Sequence, residues 1–129
     1  MIEAGVVIGV NGHPLFWHSP PGRTCGNLPD SRSLWDVFWD AHKEGTLLGF
    51  AHSHPGSGIP GPSYEDVTTF SAVELALGKR ISWWISSSDH TVLLAWVGPD
   101  KYSYRGTLLV EEPAWVAELR RLSAEEQGR

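Results

Sequence analysis

Apolar positions along the chain fall into two rhythms, and together these divide it into strands and helices. Ile2 to Val10 is a short, β-branched, almost wholly apolar run, and Asn11-Gly12 behind it is a strong two-residue hairpin signal. A partner strand is therefore predicted over His13 to His18. Leu47-Leu48-Gly49-Phe50-Ala51 is an unbroken apolar run between turn signals, the pattern of a strand covered on both faces. Arg80 to Ser86 and His90 to Val97, rich in Trp, Ile and Val, read as two more strands joined by a Ser-Ser-Asp turn, and Lys101 to Val110 as a weaker one.

Helical spacing appears three times. Trp35, Phe38, Trp39 and His42 form one stripe, with Ser33 as its cap, Asp36 three positions on, and Gly45 as its stop. Val67, Phe70, Val73 and Leu77 form the second stripe, with Asp66 at its head and Gly78 at its end. Trp115, Leu119 and Leu122 follow Pro113 in an amphipathic helix over 113–126, which packs on the core or on a second copy of the chain as a homodimer. The predicted fold is α/β of the α+β kind. A single domain, 1–129, holds a mixed central β-sheet of about six strands flanked by about three helices.

Composition narrows the function classes. At 129 residues and 41% apolar content, the chain can bury a core without disulfides or a structural metal. The formal net charge of −5 comes without a basic run, so no nucleic-acid partner is expected. No apolar run approaches membrane-spanning length, and a single cysteine, Cys25, together with the absence of a leader-like start, predicts a cytoplasmic protein. Cys25 lies in a Pro- and Gly-rich loop, Ser19 to Ser31, of a length that is usually functional. Neither a second cysteine nor a histidine stands beside it, so it reads as a bystander. His13, His18, His42 and His90 read as structural histidines, and the seven tryptophans as core fillers.

Candidate chemistry is concentrated in residues 47–78. His52-Ser53-His54 continues the buried strand, and residues two apart on a strand point to one face, so both imidazoles can reach one ion. Ser53 then faces the other way and is structural. Asp66, where the loop Pro55 to Pro62 gives way to a helix, supplies a carboxylate that a helix N-terminus keeps ionised. Two imidazoles and one carboxylate make the three-ligand set of a catalytic zinc, which leaves one position for water. Glu3 is the only carboxylate before His52 that lies in a strand.

His52-Ser53-His54 and Ser63-Tyr64-Glu65-Asp66, with a glutamate far upstream, resemble the JAMM/MPN zinc metalloprotease family in its stand-alone prokaryotic form. That family's signature is a distant Glu, His-Ser/Thr-His, about seven residues, then Ser-x-x-Asp. Here eight residues, Pro55 to Pro62, separate the halves, so strict counting puts Glu65 at the aspartate's place. Asp66 is preferred because Ser-x-x-Asp is kept intact and a loop of three prolines and three glycines absorbs an insertion. The family's base lies in Glu-x-x-Gly, whereas Glu3-Ala4-Gly5 has one residue fewer, and a one-residue slip turns a strand side chain to the other face.

The resemblance implies an MPN-like domain with cytidine-deaminase-like layering. It also implies a Zn²⁺ isopeptidase held by His52, His54 and Asp66, with Glu3 as base and Ser63 stabilising the oxyanion. The substrate it implies is the extended, Gly-rich C-terminal tail of a ubiquitin-like or sulfur-carrier protein, cut after a small residue. Two alternatives stand beside it. One is an inactive MPN-type metal-binding scaffold; the other, drawn from the loop up to Asp66, is similarity to RadC-type proteins linked to DNA processing, which carry Asn where this chain has Ser53.

Overall fold

The computed structural model describes residues 1–125. A six-stranded mixed sheet runs in the order β2-β1-β3-β4-β5-β6, with three helices, so the expected class and element counts are borne out. The strands are β1 Gly5–Gly9, β2 Pro14–His18, β3 Leu47–Ser53, β4 Ser82–Ser86, β5 Thr91–Trp96 and β6 Tyr104–Leu108. Helices α1 Arg32–Glu44 and α2 Tyr64–Leu77 lie on one face, and α3 Val116–Ser123 covers the other. Only β3 and β4 pair in parallel; every other neighbouring pair is antiparallel. No helix among the described residues is long and apolar enough to cross a membrane.

Both faces of the central strands are covered, which is why β3 reads as a continuous apolar run. Val7, Phe50, Trp83 and Ile85 meet Phe38 of α1 and Phe70, Val73 and Leu77 of α2 in one cluster. Phe70 stacks on Trp83 with ring centroids 4.3 Å apart, an arrangement that contributes about 0.5–1.5 kcal/mol beyond burial. Val6, Ile8, Ala51 and Trp84 point the other way, against Trp115, Val116, Leu119 and Leu122. The third helix is therefore committed to its own sheet. It starts later than the predicted 113–126, at Val116, because Pro113 to Trp115 form a turn; position 126 lies outside the described residues.

Local chemistry sets the other boundaries. Helix α1 is capped by Ser31, whose Oγ accepts from the Leu34 N–H at 3.1 Å, so the cap lies two residues before the predicted Ser33. Asp36 makes an exposed pair with Arg32 instead. Only glycine fits at position 49 on β3: a Cβ there would stand 1.8 Å from the Ser82 carbonyl oxygen on β4.

A buried carboxylate joins the elements around α2. Glu74, 3% exposed, accepts hydrogen bonds from the Ile81 N–H, the Trp83 indole and the Arg80 guanidinium, at 2.9, 3.1 and 3.0 Å. The Tyr104 hydroxyl donates to it as well, which ties β6 to the helix. Burial, with the Glu74 carboxylate beside it, pushes the Tyr104 phenol well above its usual range.

Candidate metal centre and its cleft

The C-terminal end of β3 and the first turn of α2 bring His52, His54 and Asp66 together. One ligand atom from each lies within 4.8 Å of the others. The two Nε2 atoms are 3.0 Å apart; His52 Nε2 is 3.3 Å from Asp66 Oδ1 and His54 Nε2 is 3.1 Å from Asp66 Oδ2. Nitrogen and oxygen ligands at zinc distances in a tetrahedron stand about 3.3 Å apart, so the donor set fits a small divalent cation. Glu65, the residue that strict counting selects, is outside the cluster.

Each donor is held by a local cause. His52 lies in the buried C-terminal end of β3, and the chain stays in register just past the strand, where the His54 N–H donates to the Ser86 carbonyl at 2.9 Å. Asp66 is the third residue of α2 and half of a capping box: its Oδ2 accepts from the Ser63 N–H at 2.9 Å, while Ser63 Oγ accepts from the Asp66 N–H at 3.1 Å. The helix thus begins at Tyr64, three residues before the predicted apolar stripe, and the box aims the carboxylate at the imidazoles. Burial opposes ionisation of Asp66, but hydrogen bonds from His52 and His54 outweigh it and hold the carboxyl far below its usual range. The Asp66 hydrogen bond in turn raises His54.

The eight-residue loop between the histidines and Ser63 is fixed from outside. Asp89 accepts from the Gly58 N–H at 2.8 Å, Ser87 Oγ donates to the Gly58 carbonyl at 2.6 Å, and the Ser88 N–H donates to the Gly56 carbonyl at 2.9 Å. Gly56 and Gly58 take φ of 118° and 95°, which side-chain-bearing residues rarely adopt. The loop is clasped by the β4–β5 turn, and His90 serves there by pairing with Asp89 at 2.9 Å.

Glu3 lies on the same face as the donors. Gly5 pairs with His52 across the antiparallel β1–β3 ladder, and the Ser53 N–H donates to the Ala4 carbonyl, so Glu3 falls opposite His54. The register irregularity in that ladder is at Ile8/Gly9, on the far side of Gly5, and does not disturb this end. Burial pushes the Glu3 carboxyl up, against the opposing pull of His52 and His54. Ser53 faces away, its Oγ accepting from the Ala4 N–H at 2.9 Å, as a structural serine should.

Glu3, Ser63 and the three donors line one cleft of about 660 Å³, between α1 and α2 above the sheet. Its other wall is the loop before α1. The Glu3 N–H donates to the Thr24 carbonyl at 2.9 Å, and buried His18 meets the Pro29 carbonyl at 2.6 Å, which anchors the stretch that carries Cys25 and Leu28. Burial lowers the His18 pKa, a shift its bond to Pro29 partly opposes. Sequence reasoning placed neither His18 nor Cys25 here; the only signal was the loop's unusual length. No family model matches the chain, and neither does any curated protein sequence.

Proposed function

We propose that the protein is a zinc-dependent hydrolase of the JAMM/MPN kind, cutting an amide or isopeptide bond at the C-terminal tail of a ubiquitin-like or sulfur-carrier protein. The observation that carries this reading is the shared cleft: a half-buried carboxylate faces two imidazoles and an aspartate whose spacing suits a metal. His52, His54 and Asp66 would hold the zinc, which when bound would lower the pKa of a water to about 7 and so would supply a nucleophile at neutral pH.

The chain's own residues do the rest. Glu3, with its carboxyl raised by burial, accepts a proton and returns it to the leaving amine. Ser63 Oγ accepts from the Asp66 N–H, and its own proton is available to donate to the oxyanion of the tetrahedral intermediate. The Ser63–Asp66 box keeps Asp66 pointed at the histidines throughout.

The test is metal analysis with a cleavage assay. Protein purified with zinc should hold about one ion per chain and release the tail extension of a ubiquitin-like fusion. His52→Ala should lose both properties. Failure to retain any divalent metal would overturn the proposal, whereas zinc retained with no cleavage would identify a metal-binding interaction module.

A further inference from the structure

The β1–β2 ladder ends at the pair Gly5–His18, two residues short of Glu3. Ala4 turns its backbone groups toward β3, where its N–H donates to Ser53 Oγ and its carbonyl accepts the Ser53 N–H, both at 2.9 Å. Backbone groups alternate in direction along an extended chain, so those of Glu3 point to the side that β2 has left. The loop before α1 takes the strand's place there. The Glu3 N–H donates to the Thr24 carbonyl at 2.9 Å, and the Arg23 guanidinium reaches the Glu3 carbonyl at 3.4 Å. Thr24 is held in turn by its own N–H, which donates to the Asn27 carbonyl at 3.0 Å.

Arg23 is only 8% exposed, and it carries a permanent charge whose burial is costly unless acceptors surround it. Its acceptors are the Glu3 carbonyl, the Leu122 carbonyl at 3.4 Å and the Glu125 carboxylate at 3.3 Å. A forked guanidinium serves acceptors on several segments at once, which an ammonium on a flexible stem does less well. One side chain thus ties the N-terminal stretch, the loop and the end of α3 together, at the residue whose carboxylate faces the donors. Arg23 itself does not line the cleft.

We infer that Arg23 is the positioning residue that seats Glu3 in the cleft, so that the carboxylate of the proposed base is held against the donors. The catalytic part of this inference rests on the hydrolase reading above; the seating of Glu3 does not. Without the guanidinium, the Glu3 carbonyl loses its partner, and the Thr24 bond alone holds the segment on that side. A base displaced by about 1 Å can lose about a hundredfold in rate with every substrate contact intact.

Arg23→Met keeps most of the side chain's length and removes its donors. In zinc-loaded protein acting on a ubiquitin-like fusion with a tail extension, kcat should fall about tenfold or more, with KM and zinc content unchanged. Glu3→Gln should then cost less than about tenfold in the Arg23→Met background, against about a hundredfold in the parent, because a displaced base has less to lose. Arg23→Lys should recover part of kcat. Unchanged kcat, or a full cost of Glu3→Gln in the variant, would leave Arg23 a role in stability alone and overturn the inference. Seating is read without turnover by amide exchange. Arg23→Met should lower protection at Glu3 about tenfold or more, while Ser53, whose N–H is bonded to Ala4, keeps its own. Equal protection of Glu3 in parent and variant overturns the inference whatever the kinetics. If the parent cleaves nothing, the hydrolase reading fails, and the exchange result alone decides the seating. Should Arg23→Met not fold, both measurements are made on Arg23→Lys, where changes of the same sign, about threefold, are expected and no change overturns the inference.

Discussion

In the proposed hydrolase Glu3 is the residue on which turnover depends, and two effects can be separated by replacing it. Glu3→Gln removes the proton acceptor and should cut turnover by about a hundredfold or more while zinc stays bound. Unchanged turnover would take Glu3 out of the mechanism. The second effect concerns stability. Because burial raises the Glu3 carboxyl above its ordinary 4.5, the folded chain binds this proton more tightly than the unfolded chain does. Its contribution is then most favourable below that ordinary value and is lost as pH rises through the raised one. In chelator, Glu3→Gln should therefore gain stability over the parent at pH 7, and the gain should fade by pH 4. Urea unfolding at both values checks the sign; a gain that grows toward low pH would contradict it.

At the scale of elements, the start of α2 is both a helix cap and a support for the donor set. Ser63→Ala breaks the capping box and should cost about 1 kcal/mol of stability. Asp66 also loses the brace that aims it, so zinc affinity should fall by about tenfold, as for other losses of support behind a metal ligand. Competition with a chromophoric chelator measures the second effect. An unchanged affinity would show that the histidines alone position the carboxylate. Much of this element was legible beforehand. Ser-x-x-Asp announces a helix start, and alternation along a strand puts His52 and His54 on one side. The cap of α1 was misplaced because Ser31 and Ser33 both precede the apolar stripe, and only the backbone decides which of two serines turns in. The stripe itself overstated burial, since Trp39 is 40% exposed.

Over the whole molecule, order along the chain says little about which distant segments meet. The length of Ser19 to Ser31 hints at a function but not that it walls the cleft, because the bonds that place it come from Glu3 and His18, in other parts of the sequence. Glu74 had a signal that went unread: it stands on the apolar face beside Val73 and Leu77, where a carboxylate must find buried partners. All four of its partners donate, so an amide of the same shape would turn an N–H toward a donor. Glu74→Gln should lower stability by about 2–4 kcal/mol despite its similar volume, and Tyr104→Phe by less. Chemical denaturation ranks the two, and an equal or smaller loss for Glu74→Gln would mean that the network tolerates the flip.

The bond pattern at the first residues also bears on the order in which the protein matures. His52, His54 and Asp66 are close in sequence, and closing so short a loop costs little entropy. Glu3 is different. Its neighbour Ile2 is fixed by Ser123, through an N–H to carbonyl bond of 2.9 Å and a hydroxyl to carbonyl bond of 2.6 Å, across nearly the whole chain. A refolding molecule should therefore capture metal before its base is seated, and pass through a stage that holds zinc yet cannot hydrolyse. Pulse-labelled hydrogen exchange should find the amides of His54 and Asp66, bonded to Ser86 and Ser63, protected earlier than that of Glu3. If the protein is the hydrolase proposed above, a chain in that early stage is harmless to substrates, and this long-range closure between the two ends of the described residues would act as a built-in delay on first turnover.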